Sequence, residues 1–123
     1  VHALRDPTRG GVAAVLNEIA SASHVGVVID EVTVPVAAEV RSACALLGLD
    51  PMQVANEGRL VAWVAGRDGE RAVQVLRACT GGEQAVAIGH VVDEHPGMVV
   101  GRTAIGGTRI IDVPLGELLP RIC

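Results

Sequence analysis

The sequence predicts an α+β fold in which a mixed β-sheet is covered by helices. Helix-like and strand-like segments alternate along much of the chain, and the second half adds short strands joined by turns. Half of the 123 residues are hydrophobic, which suffices for one core. Because no linker, repeat or low-complexity run interrupts the pattern, we expect one domain at residues 1–113 and a flexible tail at residues 114–123.

The first element is predicted to be a helix over residues 5–23. Asp6 is a favourable N-cap residue and Pro7 is well suited to the first helical position. The residues that then recur at helical spacing on one apolar face are Val12, Val15, Leu16, Ile19 and Ala20.

Gly10 and Gly11 fall in the first turns of this predicted helix, where each glycine costs up to about 1 kcal/mol relative to alanine. The missing side chains would let another backbone or a ligand come close to the helix N-terminus, whose free N–H groups favour anions. The motif therefore has two interpretations. One is an edge that faces a phosphate, and the other is a well-capped helix packed tightly on a neighbour.

The middle of the chain continues with a strand, a helix and a turn. The strand is predicted at residues 25–31 because it is rich in β-branched residues. Pro35 opens the second helix and Gly48 ends it, with one apolar stripe made of Val36, Val40, Cys44 and Leu47. Asp50 and Pro51 then start a turn.

The second half is predicted to hold one further helix among strands. Asp68 is a candidate cap for a helix that carries Ala72, Val73, Leu76 and Cys79 and stops at the glycines of residues 81–82. The predicted strands are 59–65, 85–92, 98–101 and 108–113, of which 85–92 and 98–101 are expected to form a hairpin through a turn at 93–97. A glycine turn at 106–107 and a helical turn at 115–119 complete the prediction.

Composition and charge exclude several classes of function. The formal net charge of −4 argues against a nucleic-acid-binding protein, which would be basic. All ten cationic residues are Arg, so no lysine of this chain can form a Schiff base or contact a phosphate. Three cysteines without disulfide-like spacing suit a reducing cytoplasm, and neither a membrane span nor a signal peptide is visible. We expect the chain, which begins with Val1, to be part of a longer protein.

The tripeptide Asn56-Glu57-Gly58 lies between two apolar stretches. A carboxylate held in an apolar setting has a raised pKa, which is the property that a general acid or base uses. The alternative is an ordinary turn with a solvated glutamate, because Asn and Gly are common turn residues.

The histidines and cysteines divide into structural and chemical candidates. No metal-ligand spacing is evident among His2, His24, His90 and His95, so no metal site is expected. Cys44 and Cys79 are predicted to be buried packing residues because they lie on apolar stripes. Cys123 has two interpretations. A tail from Pro114 could extend about 30 Å and carry its thiol between two sites, or the chain has a frayed end that happens to finish on cysteine.

Four motifs together resemble a known family. They are Arg-Asp-Pro-Thr-Arg-Gly-Gly at residues 5–11, Asn-Glu-Gly at 56–58, Gly-Gly-Thr-Arg at 106–109 and Pro-Arg-Ile-Cys at 120–123. The combination is similar to the C-terminal domain of the HypE hydrogenase maturation proteins, within the aminoimidazole ribonucleotide synthetase-related family. The first two motifs also occur in looser form in selenophosphate synthetase and thiamine monophosphate kinase. The resemblance spans the chain and implies a PurM-like, partly ferredoxin-like C-terminal domain.

The resemblance implies an ATP-dependent carbamoyl dehydratase. In that family HypF transfers a carbamoyl group to a C-terminal thiol, the protein dehydrates it to a thiocyanate, and the HypC–HypD complex receives the cyanide as an iron ligand for [NiFe]-hydrogenase. Cys123 would be the carrier, Glu57 the proton acceptor and Arg121 a residue that seats the tail. The residues expected to face the nucleotide cleft are Asp6, Thr8, Arg9, Gly10, Gly11, Asn56 and Gly58.

The family's N-terminal domain is absent from this chain. That domain would supply most of the contacts to ATP and Mg and the homodimer interface. Phosphoryl transfer needs metal ligands and cationic groups around the transferred phosphate, so we expect the chain alone to be inactive. The alternative function is a docking module for HypF or HypC–HypD, with catalysis confined to the absent domain.

Overall fold

The computed structural model describes residues 1–113, so the predicted helical turn at 115–119 and the tail at 114–123 lie outside it. The helices are α1 (Gly11–Ser23), α2 (Ala38–Leu47) and α3 (Gly69–Arg77). The strands are β1 (Ala3–Arg5), β2 (Gly26–Asp30), β3 (Val61–Trp63), β4 (Gly89–Val92), β5 (Val99–Arg102) and β6 (Thr108–Ile110). Short 3₁₀ turns lie at Glu31–Thr33, Pro51–Gln53 and Gly66–Asp68.

The strands form two sheets. β1 pairs with β3 in an antiparallel two-stranded sheet, in which Leu4 lies opposite Ala62. The larger sheet has the order β4-β2-β5-β6, and β2 runs parallel to β5 but antiparallel to β4. The fold is therefore α+β with a mixed sheet, as the sequence predicts.

The predicted hairpin between residues 85–92 and 98–101 is wrong. β4 and β5 are both paired with β2, which lies between them. The connection crosses the start of β2 at Gly26, where a Cβ atom would collide with the Glu94 carbonyl oxygen. It is held there because the Gly97 N–H donates to the Val25 carbonyl at 2.9 Å. The absence of a side chain at Gly26 thus allows the connection to pass over the central strand β2.

The core lies between α1 and the larger sheet. Its buried members are Ala13, Leu16, Ala20, Val27, Ile29, Met52, Val99 and Ile111. Trp63 and Val61 of β3 pack against this cluster from the smaller sheet. Burial of this apolar area is the main term that stabilises the arrangement.

The predicted start of the first helix is wrong by several residues. α1 begins at Gly11 with Gly10 as its N-cap, and Ala3–Arg5 is a strand. Asp6 therefore does not cap the helix, and Pro7 is buried before it. The reason is that Gly10 and Gly11 both adopt positive φ values, 75° and 62°, which a continuous α-helix cannot contain.

Helices α2 and α3 contribute less to the core than predicted. Cys44 is the buried residue of α2, whereas Val40 and Leu47 of the same predicted stripe are exposed. Cys79 is exposed and lies beyond the end of α3, so its prediction as a packing residue is wrong. Its thiol instead donates to the Val75 carbonyl at 3.4 Å. No helix within residues 1–113 is long and apolar enough to cross a membrane.

Candidate functional site

The segment between β1 and α1 folds into a tight loop over residues 6–10. The Thr8 N–H donates to the Asp6 carbonyl at 2.9 Å, and the Gly11 N–H donates to the Thr8 carbonyl at 3.1 Å. Pro7 is fully buried and anchors the loop, while Asp6 and Arg9 are exposed. The loop therefore presents polar side chains from a fixed backbone.

The close approach that the two glycines predict is made by backbone. A Cβ atom on Gly11 would collide with the carbonyl oxygens of Met52 and Val54. These residues belong to the segment that begins with the turn at Asp50. We call residues 50–56 the bracing segment. Of the two interpretations of the glycine pair, tight packing on a neighbour applies at Gly11. The polar side chains of the loop lie on another side, where a pocket opens.

An open pocket of about 260 Å³ lies beside the loop. It is lined by Arg5, Asp6, Thr8, Arg9, Ala14, Val15 and Glu18. Arg5 forms an ion pair with Glu18 across it, and this contact raises the pKa of Arg5. No ion pair of Arg9 forms within residues 1–113, so its guanidinium can contact a ligand.

Asn56-Glu57-Gly58 lies next to this loop. The Asn56 N–H donates to the Pro7 carbonyl at 2.9 Å, which joins the two sequence motifs directly. Gly58 adopts φ 70°, so the tripeptide turns sharply there. Glu57 is exposed and lies in a turn, so of the two interpretations of this tripeptide the ordinary turn with a solvated glutamate applies within residues 1–113.

Arg109, the last residue of the Gly-Gly-Thr-Arg motif, bridges two carboxylates. Its Nε donates to Glu31 Oε1 at 2.7 Å and its Nη2 donates to Glu31 Oε2 at 3.2 Å. The same Nη2 donates to Asp50 Oδ2 at 2.7 Å. The hydrogen bond that Arg109 donates to Glu31 is the main cause that raises the pKa of Arg109.

The chain after β6 is fixed to the same region. Asn17 Nδ2 donates to the Ile111 carbonyl at 2.8 Å, and Gln53 Nε2 donates to the Asp112 carbonyl at 3.2 Å. Ile111 is itself 1% exposed. Ile111 and Asp112, which precede the predicted tail, therefore lie beside the bracing segment, while the predicted roles of Cys123 and Arg121 concern residues outside the description.

The structure thus groups most of the described candidate residues. Asp6, Thr8 and Arg9 line the pocket, and Gly10 and Gly11 form the turn into α1. The tripeptide at residues 56–58 joins them through Pro7. Within residues 1–113 no three His, Cys, Asp or Glu side chains come together as a metal site, and the absence of a metal site stays a prediction.

Sequence reasoning did not identify several residues that organise the site. Glu31, Asn17 and Gln53 carry no recognisable local signal, because their partners are distant in sequence. Asp50 was predicted only as a turn residue, and its carboxylate does accept from the Met52 N–H at 2.9 Å. The Asp-Pro pair predicts the contact between the Asp50 carboxylate and the Met52 N–H, but not the second contact of that carboxylate, which is with Arg109.

Comparison with known families identifies the domain type. The family model described as AIR synthase related protein, C-terminal domain, matches residues 1–101. Among curated relatives, carbamoyl dehydratase HypE of Cupriavidus necator is 50% identical over the whole chain, which covers 35% of that relative. The HypE of Rhizobium leguminosarum is 51% identical over the whole chain and 35% of its own length. The chain thus spans about a third of the relatives it matches.

Solved structures give the same result. A crystal structure of hydrogenase maturation protein HypE matches 99% of the chain and 40% of its own length, with TM-score 0.93 and 46% identity. A HypE structure in complex with ATP matches 99% and 38%, with TM-score 0.89 and 45% identity. A HypE–HypF complex matches 90% and 36%, with TM-score 0.85 and 43% identity. The resemblance to HypE proteins is confirmed.

Proposed function

Because the chain belongs to the AIR synthase related protein, C-terminal domain, family, we propose that it is the C-terminal part of an ATP-dependent carbamoyl dehydratase. The whole protein would convert an S-carbamoyl group on Cys123 to a thiocyanate, which supplies cyanide during [NiFe]-hydrogenase maturation. The observation that carries this proposal is the hydrogen bond between Asn56 and Pro7. It makes the Glu57 loop and the polar pocket neighbours in one site.

The length of the tail is compatible with delivery of a thiol to that site. Asp112 is held by Gln53, and eleven residue steps lead from Asp112 to Cys123, which corresponds to at most about 40 Å. The four residue steps from Gln53 to Glu57 span at most about 14 Å. Cys123 is therefore within reach of Glu57, and covalent attachment makes the subsequent reaction intramolecular.

The reaction removes one water from a thiocarboxamide. The carbon loses its oxygen, the nitrogen loses two protons, and a carbon–nitrogen triple bond remains on sulfur. ATP would supply the phosphoryl group that converts the amide oxygen into a good leaving group. In this proposal Glu57 accepts one proton from nitrogen, the other proton is released to solvent, and the amide oxygen leaves as part of inorganic phosphate. Its exposed position in the chain gives it access to a carbamoylated thiol that arrives from the tail.

The described residues fit one edge of a nucleotide site. Arg9 and Thr8 offer a cation and a hydroxyl to a phosphate, and both line the pocket. Arg5 is already paired with Glu18, and Asp6 adds a second carboxylate, so two arginines face two carboxylates there. This balanced charge attracts a polyanion weakly. We therefore assign most contacts with ATP and Mg to the part of the protein outside this chain.

The partners follow from the same proposal. The chain is similar to a HypE that was solved in complex with HypF, and we assign carbamoyl transfer to a HypF-type partner. Cyanide transfer to a HypC–HypD complex and formation of a homodimer belong to the full-length protein. A cytoplasmic location suits a free carrier thiol.

The proposal is tested with Glu57→Gln in the full-length protein. Intact-mass spectrometry after incubation with HypF, carbamoyl phosphate and ATP should show the carbamoyl adduct on Cys123. The wild-type adduct should then lose one water, whereas the variant should keep it because the proton acceptor is missing. A matched control is Glu70→Gln, since Glu70 is an exposed glutamate on α3, away from the site.

One observation favours docking as a second function. α2 presents exposed apolar side chains, with Val40 45%, Leu46 87% and Leu47 66% exposed. Exposed apolar side chains that lie together are typical of interaction surfaces. If Glu57→Gln dehydrates the adduct as fast as the wild type, catalysis lies outside this chain and docking is its function.

A further inference from the structure

Arg109 is the centre of a charged contact between three segments that are remote in sequence. It lies on β6, Glu31 follows β2, and Asp50 begins the bracing segment. Both carboxylates are mostly covered, with side-chain exposures of 23% for Glu31 and 22% for Asp50. A partly covered guanidinium with two carboxylate partners holds a more defined geometry than an exposed ion pair does.

The surrounding backbone is shaped for this contact. Gly101 of β5 lies directly opposite Arg109 in the sheet. A Cβ atom on Gly101 would collide with the Glu31 carboxylate, so the absence of a side chain lets Glu31 reach across the strand to Arg109. The network therefore depends on the strand register as well as on charge.

Asp50 links Arg109 to the bracing segment through both of its carboxylate oxygens. Oδ2 accepts from Arg109 at 2.7 Å, and Oδ1 accepts from the Met52 N–H at 2.9 Å. The Asp50 carbonyl also accepts from the Gln53 N–H at 2.9 Å. The start of the bracing segment is thus fixed by Arg109 on one side and by its own turn on the other.

The remaining contacts extend this fixation to the Glu57 loop and to Asp112. Gln53 holds the Asp112 carbonyl, three residues after Arg109. Asn56 ends the bracing segment and directly precedes Glu57, and its N–H donates to the Pro7 carbonyl. The same short segment therefore contacts Asp112, two residues before the predicted tail, and leads directly into the Glu57 loop.

We infer that Arg109 is a positioning residue for the dehydration. It fixes the bracing segment, which lies between Asp112 and the Glu57 loop. The inference rests on the proposed function and adds a residue outside the pocket to it. Arg109 touches neither the pocket nor Glu57, so its effect is transmitted through Asp50. A small displacement of a catalytic group can cost up to about a hundredfold in rate.

The test uses the full-length protein with the substitutions Arg109→Gln and Asp50→Asn. Asp50→Asn keeps an oxygen for the Met52 N–H but replaces the charged partner of Arg109, so the turn persists. We expect each variant to be carbamoylated by HypF to the wild-type extent and to dehydrate the adduct at least about tenfold more slowly. The double variant should be no slower than Arg109→Gln alone, because Arg109→Gln already breaks the Arg109–Asp50 contact that Asp50→Asn weakens.

Arg102→Gln is the matched control. Arg102 lies on β5, is exposed, and forms no ion pair within residues 1–113. Its dehydration rate should equal that of the wild type. Hydrogen–deuterium exchange should show faster exchange of peptides from residues 50–58 in Arg109→Gln and Asp50→Asn, and no change in Arg102→Gln.

The two proposals fail in different ways. Unchanged dehydration in well-folded Arg109→Gln and Asp50→Asn would overturn the role of Arg109 while leaving the proposed function intact. Absence of dehydration by the wild-type protein would overturn the proposed function and, with it, this role. If Arg109→Gln does not fold, two variants provide the same comparison. They are Asp50→Asn and Arg109→Lys, of which the latter keeps the charge but lacks the planar fork of donors that pairs bidentately with Glu31.

Discussion

Gly11 shows how one residue type determines the local geometry of the site. It combines a positive φ of 62° with two carbonyl oxygens at the place where a Cβ atom would lie. Gly58, on the neighbouring loop, has a similar φ of 70° but open space around it. Both glycines therefore need a positive φ, but only at Gly11 would a side chain also collide with neighbouring backbone.

We predict that Gly11→Ala destabilises the chain by about 2–5 kcal/mol. The strained backbone costs about 1–2 kcal/mol and the forced movement of the bracing segment adds about 1–3 kcal/mol. Urea unfolding of the 123-residue chain measures the change. Gly58→Ala is the control and should cost only about 1–2 kcal/mol, the backbone contribution alone. Equal losses in the two variants would show that the bracing segment does not exclude a side chain at Gly11.

At the scale of elements, local signals predicted individual elements better than their arrangement. The strand predicted at 25–31 is Gly26–Asp30, and the helix predicted to stop at Gly48 ends there with a left-handed C-cap. Both depend on nearby residues only. Capping and β-branching act within a few residues, so a sequence displays them directly.

The insertion of β2 between β4 and β5 could not be predicted in the same way. A short turn between two strands favours a hairpin, but β2 occupies the position between them. Residues Val27 and Ile29 of β2 are 3% and 1% exposed, so this strand belongs at the centre of the sheet. Central placement is decided by burial across the whole domain, which periodicity along one segment does not report.

The site shows the same division. The motifs at residues 5–11 and 56–58 identify the two loops, and the hydrogen bond from Asn56 to Pro7 joins them. The sequence left two settings open for Glu57, and its exposure selects the solvated turn because its apolar neighbours in sequence do not surround it in space. The partners of Arg109 were missed, since Glu31 is 78 positions away along the chain.

Helix α2 provides a test of burial at the scale of one element. We predict that Cys44→Ser destabilises the chain by about 1–3 kcal/mol, because a hydroxyl replaces a buried thiol that is 5% exposed. Leu47→Gln, on the same predicted stripe but 66% exposed, should change stability by less than about 0.5 kcal/mol. Urea unfolding of both variants gives the comparison.

The opposite order of these two effects would show that Leu47 is buried in solution, for instance through self-association of the chain. Sedimentation of the wild-type chain at several concentrations then serves as the control. A monomer with an insensitive Leu47 supports the exposed apolar surface of α2 on which the docking alternative depends.

At the scale of the whole molecule, the proposed function gives this chain the carrier thiol and one wall of the site. It covers about a third of the length of the relatives it matches. Its pocket combines Arg5 and Arg9 with the carboxylates of Asp6 and Glu18, and the sequence contains no lysine. A triphosphate with its metal ion needs several converging cations and metal ligands, which this pocket does not provide.

We therefore predict that the 123-residue chain does not bind Mg-ATP with micromolar affinity, whereas the full-length protein does. Isothermal titration calorimetry of both proteins in one buffer measures the difference. Because a factor of ten in affinity corresponds to about 1.4 kcal/mol, the loss of even three charged contacts would move a micromolar site into the millimolar range. The heat released by the chain should stay at the level of dilution.

Micromolar binding by the chain alone would contradict this division of the site and would place the nucleotide on the loop at residues 6–10. Arg9→Gln then decides where it binds, because Arg9 is the pocket cation that forms no ion pair within the described part of the chain. Loss of binding in Arg9→Gln, with Arg41→Gln on the exposed side of α2 as the control, would assign the phosphates to this loop. The chain would then hold both the nucleotide and the carrier thiol.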